Sequence, residues 1–266
     1  METKFAAEDV ARFENETWSR CAATYDDGFG ALVSEAVDPT LDAAGVTEGK
    51  SVLDVGTGTG SVAAAAMARG ARATGIDFSR TMLEAARTRV PGATFREAPA
   101  EALPFDDEEF DSVVGSFVLH HSAEPKRILG ESCRVLRPGG RAAFTVWAAP
   151  ERLEAFGLFF AAVGEHAGAA ELPHGPLFGV SDHDVFHRLA ADAGFSATRI
   201  TDLPLAWRTG SIDPYWRAFH AWAGLDAMPA QTRDAIETTV RKNANAYRAG
   251  EGFVIPNPAI LISMRR

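Results

Sequence analysis

Three glycines at alternate positions, with an aspartate just before them, are the residues whose spacing most clearly indicates chemistry. Gly56, Gly58 and Gly60 follow a short apolar run, 52–55, that contains Asp54, and an alanine-rich stretch comes next. This order predicts a buried strand, a tight turn and a helix. The glycines leave the backbone open to a ligand, and the free amides at the start of the helix would face it.

A second aspartate stands where the next strand should end. Asp77 closes the strand pattern 71–76, about twenty residues after the glycines, and a carboxylate at that distance accepts hydrogen bonds from the hydroxyls of a ribose. The spacing Gly-x-Gly-x-Gly differs from the Gly-x-Gly-x-x-Gly of dinucleotide-binding folds, whose strand is usually apolar where Asp54 stands. We therefore expect a nucleoside-containing ligand other than a nicotinamide dinucleotide.

Strand and helix patterns alternate along the segment that must position these residues. Further strand patterns cover 93–97, 110–119 and 141–147. The alternation predicts a parallel sheet with helices on both faces, whose ligands bind beyond the carboxyl ends of the strands. This rule brings the glycines, Asp77, the loop 99–101 and residues 117–121 to one edge.

The chain divides into four predicted parts. They are a helical lid at 1–48, a ligand-binding core at 49–147, a helical lid insertion at 148–195, and final strands and helices at 196–266. Strand patterns at 197–208 and 259–264 would complete the sheet. The aromatic stripe of the first part is either core packing or a lid with Tyr25 near the charged centre of the ligand. The loop 172–182, which contains prolines and glycines, would gate the cavity.

Composition limits the possible partners. Hydrophobic residues make up 46% of the 266 positions and the net charge is −10, so the chain can form a full core and should not attract nucleic acid or an anionic membrane. Cys21 and Cys133 have neither a disulfide framework nor a metal-binding spacing. Residues 1–16 lack the apolar core of a signal peptide, and no apolar run is long enough to cross a bilayer. We expect a soluble cytoplasmic protein, and the oligomeric state stays open.

Four motifs together resemble those of class I S-adenosyl-L-methionine-dependent methyltransferases of the small-molecule type. They are Val-Leu-Asp-Val-Gly-Thr-Gly-Thr-Gly at 52–60, Gly-Ile-Asp-Phe-Ser at 75–79, Ala-Glu-Ala-Leu-Pro-Phe at 100–105 with Phe-Asp at 110–111, and Arg-Val-Leu-Arg-Pro-Gly-Gly at 134–140. The resemblance is close over about 48–147 and loose over the last two strands. It implies a doubly wound, Rossmann-like α/β fold with a seven-stranded, mostly parallel sheet whose last strand is antiparallel, and helical lids.

The same resemblance assigns the residues that bind the cofactor, S-adenosyl-L-methionine. It implies Gly56 and Gly58 against the methionine part, Asp54 at the polar end of that part, Asp77 at the ribose, Phe78 and Ala100 at the adenine, and Phe117 near the methionine. The further residues expected to bind the cofactor are Tyr25, Thr57, Gly60 and Glu101. In this family an aspartate commonly precedes the Ala-Glu pair and accepts a hydrogen bond from the adenine, but here that position is Pro99. Glu101, a backbone carbonyl or water would have to replace it, since one lost hydrogen bond costs about 0.5–1.5 kcal/mol.

His121 is the candidate general base, because it stands where the fourth strand meets the expected substrate cavity. The alternative is a histidine that merely ends the strand. His120 is expected to point the other way and to pack. Other candidates for contact with the substrate are His166, His174 and His183 in the lid, each of which could equally be a surface residue. Trp147, Phe178, Trp207, Trp216 and Trp222 are candidates to line an apolar pocket, with core packing as the alternative.

The leading hypothesis is methyl transfer to an oxygen, nitrogen or carbon of a small molecule, such as an aromatic or polyketide-like metabolite. The alternative is an enzyme that binds S-adenosyl-L-methionine and catalyses a non-methylating cyclisation or rearrangement, because one fold hosts many reactions. A non-catalytic cofactor-binding protein is a third possibility, which the intact glycine loop disfavours. A nicotinamide oxidoreductase is disfavoured by the glycine spacing.

Overall fold

The computed structural model describes residues 5–168, 174–176 and 179–266, and within them it places ten strands. The strands are β1 Ser51–Val55, β2 Arg72–Asp77, β3 Thr94–Glu97, β4 Phe110–Ser116, β5 Leu136–Trp147, β6 Ala197–Leu203, β7 Ala206–Thr209, β8 Arg248–Ala249, β9 Gly252–Pro256 and β10 Ala259–Arg265. The α-helices are α1 Ala7–Cys21, α2 Ala31–Val33, α3 Val37–Ala43, α4 Ser61–Ala68, α5 Arg80–Arg89, α6 Pro125–Val135, α7 Glu154–Ala167, α8 His183–Asp192, α9 Asp213–Ala223 and α10 Ala230–Asn243.

Seven strands form the main sheet in the order β3-β2-β1-β4-β5-β10-β6. β1 to β5 are parallel, and β10 runs antiparallel to both β5 and β6, with Ile262 opposite Phe144 and Ile200. The expected sheet, with its antiparallel last strand, is confirmed.

Successive residues of β1 face opposite layers of the core, as the pleat of a strand requires. Val52 packs in a cluster with residues of α3 and α4, whereas Leu53 and Val55 pack with residues of α6 and α8. Burial on both sides explains why this strand is apolar at almost every position.

A third cluster of buried side chains covers the carboxyl ends of β4 and β5. It joins Phe117 and Trp147 to the π-helix Asp26–Gly30, to α7, α9 and α10, and to a small antiparallel sheet, β7-β9-β8. We call this third cluster with its helices and small sheet the cap. Sequence analysis did not predict the small sheet. Its strands are two to five residues long and pair only with one another.

Two predicted strands end earlier than expected. The pattern 197–208 divides at Pro204, which has no amide hydrogen for the sheet, so β6 stays in the main sheet and β7 joins the small one. The pattern 110–119 stops at Ser116, because Phe117 has a left-handed backbone (φ +57°) and Leu119–His121 forms a 3₁₀ turn. Within the described residues, no helix has the length and hydrophobicity needed to cross a membrane.

Candidate active site

A cavity of about 970 Å³, counted to its open mouth, lies between the carboxyl edge of the main sheet and the cap. The lining residues are Trp18, Tyr25, Phe29, Val33, Gly56, Gly58, Asp77, Phe78, Met82, Ser116, Phe117, Val118, His120, His121, Trp147, Phe156, Phe160 and Trp222.

The glycine loop forms one wall of this cavity. Gly56 has a φ of +68°, and a Cβ there would lie 2.6 Å from Cγ2 of Val118, so a side chain is excluded by both conformation and packing. Gly58 has a φ of +53°, but no atom lies within 4 Å of the place of its Cβ. Its backbone is therefore open to a ligand.

Asp77 connects this loop to the end of β2. Its Oδ2 accepts a hydrogen bond from the Gly58 amide (2.9 Å), and its Oδ1 accepts one from the Ser79 amide (2.8 Å). The residue is buried, and burial raises the pKa of its carboxyl to about 6. A buried carboxylate in the cavity wall suits a ligand that donates hydrogen bonds or carries positive charge.

Asp54 lies behind the loop and does not line the cavity. Its Oδ2 accepts a hydrogen bond from Oγ1 of Thr57 (2.6 Å), and within the described part of the chain its Oδ1 has no hydrogen-bond partner. Burial raises the pKa of this carboxyl to about 7. Through Thr57, Asp54 holds the turn between the first two glycines.

The assigned cofactor residues divide into two groups. Tyr25, Gly56, Gly58, Asp77, Phe78 and Phe117 line the cavity, together with the candidate base His121. Asp54, Thr57, Gly60, Ala100 and Glu101 do not. The carboxylate of Glu101 accepts a hydrogen bond from Oγ of Ser122. Glu101 was one of the groups expected to replace the family's aspartate, whose position is Pro99 here, and its carboxylate is already engaged.

The expectation that His120 points away from His121 is wrong. Both rings line the cavity, with centroids 4.2 Å apart, because a 3₁₀ turn does not alternate its side chains as a strand does. His120 is buried, and this burial is the main reason that its pKa lies well below the usual range. The nearby His121 lowers the pKa further. His120 is therefore a neutral polar group in the cavity wall.

Glu14, which sequence analysis missed, lies against His121. Its Oε2 is 3.0 Å from Nδ1 of the imidazole, and the same oxygen accepts a hydrogen bond from Nε1 of Trp18 (2.9 Å). A signal was present, since the buried positions of α1 are Val10, Glu14, Thr17 and Cys21. A glutamate on the buried face of a helix needs a partner or a function.

Aromatic side chains form the wall opposite the glycine loop. Trp18, Phe29, Trp147, Phe156, Phe160 and Trp222 line it. Of the other predicted pocket residues, Trp207 and Trp216 pack inside the cap, and Phe178 lies outside the described residues. Phe160 is 43% exposed. Within the described lining there is no lysine or arginine.

The three lid histidines do not line this cavity. Nε2 of His166 is 2.7 Å from Oγ1 of Thr239, His174 contacts the Gly175 carbonyl through Nδ1 at 2.5 Å, and His183 is exposed. Their surface interpretation is the better one. The suggested gate at 172–182 lies partly outside the described residues, and it stays a prediction.

The N-terminal segment is attached to the rim of the glycine loop. The side-chain amide of Asn15 donates to the Phe78 carbonyl (3.0 Å), and the hydroxyls of Ser19 and Ser79 are 3.0 Å apart. Asp26 accepts a hydrogen bond from Thr59 (2.8 Å) and pairs with Arg89. The element that carries Glu14 and Trp18 is thus positioned by contacts with the residues that follow β2.

Comparison with known proteins finds a family that the core of this chain resembles. A family model described as a methyltransferase domain matches residues 53–144, the span from β1 into β5 that contains the glycine loop and Asp77. Residues 53–144 of this chain are thus similar to a methyltransferase domain.

Two curated relatives that match the core of this chain are named for different methyl acceptors. The chain is 42% identical over 114 residues to a demethylmenaquinone methyltransferase of Clavibacter sepedonicus, a match that covers 42% of this chain and 46% of that protein. It is 40% identical over 124 residues to a phosphatidylethanolamine N-methyltransferase of Cereibacter sphaeroides, covering 44% and 60%. The matched part is thus about half the length of these curated relatives.

Solved structures support the fold over most of the chain. A putative methyltransferase from Bacillus halodurans superimposes with a TM-score of 0.57 at 21% identity, covering 86% of this chain and 97% of that one. The cyclase SpnF superimposes with a TM-score of 0.56 at 20% identity, covering 87% and 80%. At this identity the likeness extends to the fold alone, which occurs in proteins named for different reactions.

Proposed function

We propose that this protein transfers a methyl group from S-adenosyl-L-methionine to an uncharged, largely aromatic small molecule. The observation that carries the proposal is one continuous cavity with the glycine loop and Asp77 on one wall and aromatic side chains with His121 on the other. Methyl transfer needs a cofactor and an acceptor held together, dry and aligned.

The residues present fit the cofactor. Gly58 leaves open backbone at the cavity wall, and the buried carboxylate of Asp77 suits hydroxyl donors. We infer that Asp77 binds the ribose, that Phe78 lies on the adenine, and that Gly56, Gly58, Tyr25 and Phe117 surround the methionine part. The residues behind the wall, Asp54, Thr57, Gly60, Ala100 and Glu101, would act by holding the loops. When bound, the cofactor supplies an electrophilic methyl group on a sulfonium.

The wall chemistry favours one class of acceptor over another. Demethylmenaquinone and phosphatidylethanolamine appear in the names of the relatives. Lysine and arginine are the side chains that bind a phosphate group most strongly, and within the described lining there is neither. Aromatic side chains such as Trp147 and Phe156 instead suit a flat ring. A ring with an ionisable hydroxyl would place its proton near His121, the proposed base.

The test is direct. The purified protein is first titrated calorimetrically with S-adenosylhomocysteine and with NAD, and binding of the first alone is expected. It is then incubated with S-adenosyl-L-methionine carrying a deuterated methyl group and with hydroxylated naphthoquinones, phenols and, as a charged control, phosphoethanolamine. We expect the label in an aromatic product and an equal amount of S-adenosylhomocysteine.

Two outcomes contradict the proposal. Preferential binding of NAD would remove the cofactor assignment. Consumption of a substrate without any change of mass, with no S-adenosylhomocysteine formed, would mean that the site catalyses a cyclisation or rearrangement instead. The variant Asp77→Asn serves as the matched control, because its label transfer should fall with its cofactor binding.

A further inference from the structure

We infer that Glu14 is a positioning residue that orients His121 as the base of the transfer reaction. This inference rests on the proposed function. It assigns to α1 a part of the active site that lies well outside residues 53–144, which the methyltransferase domain model matches.

The contact between the two side chains is close and enclosed. Oε2 of Glu14 lies 3.0 Å from Nδ1 of His121, and the side chains are only 5% and 17% exposed. The Trp18 indole donates to the same carboxylate oxygen, and its ring lies 5.0 Å from the imidazole at 81°. The imidazole thus packs against the rings of both Trp18 and His120, the latter 4.2 Å away.

A buried carboxylate with so few partners lowers the stability of the fold, so its presence calls for a functional explanation. Within the described residues, Glu14 makes no ion pair with a lysine or arginine, and its polar contacts are the Trp18 indole and the His121 ring. Burial of a charged group without a compensating cation costs several kcal/mol in order of magnitude. Ordinary packing would favour leucine here, so the carboxylate is explained by its neighbour.

The placement also determines which nitrogen can act as a base. A carboxylate accepts from Nδ1–H, and this leaves the lone pair on Nε2. His121 lines the cavity. Among the described residues its buried Nδ1 makes no hydrogen bond of regular geometry, and the Glu14 carboxylate lies 3.0 Å from it as an ion-pair partner. Nε2 is therefore the nitrogen available to an acceptor molecule.

The transfer step can be written with balanced charge at this pair. Before transfer, Glu14 and neutral His121 carry one negative charge between them, and the imidazolium formed beside the carboxylate cancels it. The acceptor oxygen gives its proton to Nε2 and takes the methyl group, the carbon–sulfur bond breaks with its electron pair left on sulfur, and the positive charge lost by the sulfonium reappears on the imidazolium. The other titratable groups that face His121 are His120, which is neutral, and Asp77.

The first experiment separates the charge of Glu14 from its shape. Glu14→Gln keeps an oxygen for Trp18 and the imidazole but removes the charge, and Glu16→Gln on the exposed side of the same helix is the matched control. We expect Glu14→Gln to lower the single-turnover rate about 10–100-fold. It should leave the affinity for S-adenosylhomocysteine within about twofold and move the acid limb of the pH–rate profile to lower pH. The Glu16 variant should match the parent in all three.

A second measurement does not depend on turnover. Imidazole ¹⁵N shifts report which ring nitrogen of His121 carries the proton. The parent should show the Nδ1–H tautomer, and Glu14→Leu, which fills the same space with an apolar side chain, should lose that preference. A parent that methylates nothing but shows the tautomer effect would overturn the proposed function and leave the Glu14–His121 contact standing. Parental turnover and acid limb in Glu14→Gln, or an unchanged tautomer in Glu14→Leu, would overturn the inference.

Discussion

The two walls of the cavity are built in different ways. The glycine wall comes from one short segment, 56–78, and its turn is backbone in conformations that only glycine adopts readily, as at Gly56 and Gly58. The aromatic wall is made of side chains from several separate parts of the chain: α1 with the π-helix Asp26–Gly30, the end of β5, α7 and α9.

The difference indicates which wall can vary. A backbone turn that a Cβ would block, as at Gly56, tolerates little change, whereas an aromatic wall can be remodelled one side chain at a time. The methyltransferase domain model accordingly covers the glycine wall and ends at residue 144, before α7 and α9 begin. We infer that the first wall serves the shared cofactor and the second selects the acceptor.

The largest expected effect lies where the walls meet, at His121. His121→Ala should lower the single-turnover rate about 10²–10⁴-fold if the acceptor is a protonated oxygen, because the proton then has no base. The affinity for S-adenosylhomocysteine should stay nearly unchanged, as measured by calorimetry. If the variant keeps the parent's rate and the acid limb of its pH–rate profile, His121 has only a packing role. The reaction centre then does not lie between the two walls.

The next effect tests the glycine wall alone. Asp77→Ala should weaken binding of S-adenosylhomocysteine by about 1.5–3 kcal/mol, because the hydrogen bonds from the ribose to a charged acceptor disappear. Calorimetric titration gives the number, and a thermal melt shows whether the loop that Asp77 holds is still folded. Asp106→Ala, at an exposed turn, is the control. Unchanged affinity in a folded Asp77 variant would mean that the ribose lies elsewhere.

A smaller effect concerns the protonation of two carboxyl groups, Asp77 in the glycine wall and Asp54 behind it. Because burial raises the pKa values of Asp54 and Asp77 to about 7 and about 6, both carboxyls are partly protonated in the free protein near pH 6. A cationic ligand favours the ionised forms, so binding should release protons at about pH 6.5 and none at about pH 8.5. Calorimetry in two buffers with different ionisation enthalpies measures this release. Asp54→Asn should reduce it, and proton uptake at the lower pH would contradict the assignment.

The smallest effect tests the aromatic wall alone. Phe160 is 43% exposed, so Phe160→Ala should change the free energy of unfolding by no more than about 0.5 kcal/mol. It should raise KM for an aromatic acceptor severalfold while leaving cofactor affinity unchanged, since the ring contacts Phe156 and Trp222 at the acceptor side. Steady-state kinetics and calorimetry separate the two. A loss of cofactor affinity would show that the walls are not independent.

The sequence by itself determined the glycine wall and the main sheet. The strand–turn–helix around Gly56 and the position of Asp77 at the end of β2 follow from local backbone preferences and from the period of apolar residues. The seven-stranded sheet with an antiparallel last strand was expected only from a resemblance, which is carried by motifs within residues 48–147. The glycine turn and the position of Asp77 are readable because each depends on neighbours along the chain.

Only the tertiary structure showed which side chains form the aromatic wall and which residues meet there. Glu14 meets His121 across more than a hundred residues of chain, His120 turns into the cavity because β4 ends at a left-handed Phe117, and β7 leaves the main sheet for β9. Such contacts depend on which surfaces are buried together. A side chain in a short turn or on a buried helix face keeps the same local pattern whatever partner it meets, so its role appears only when the fold brings that partner to it.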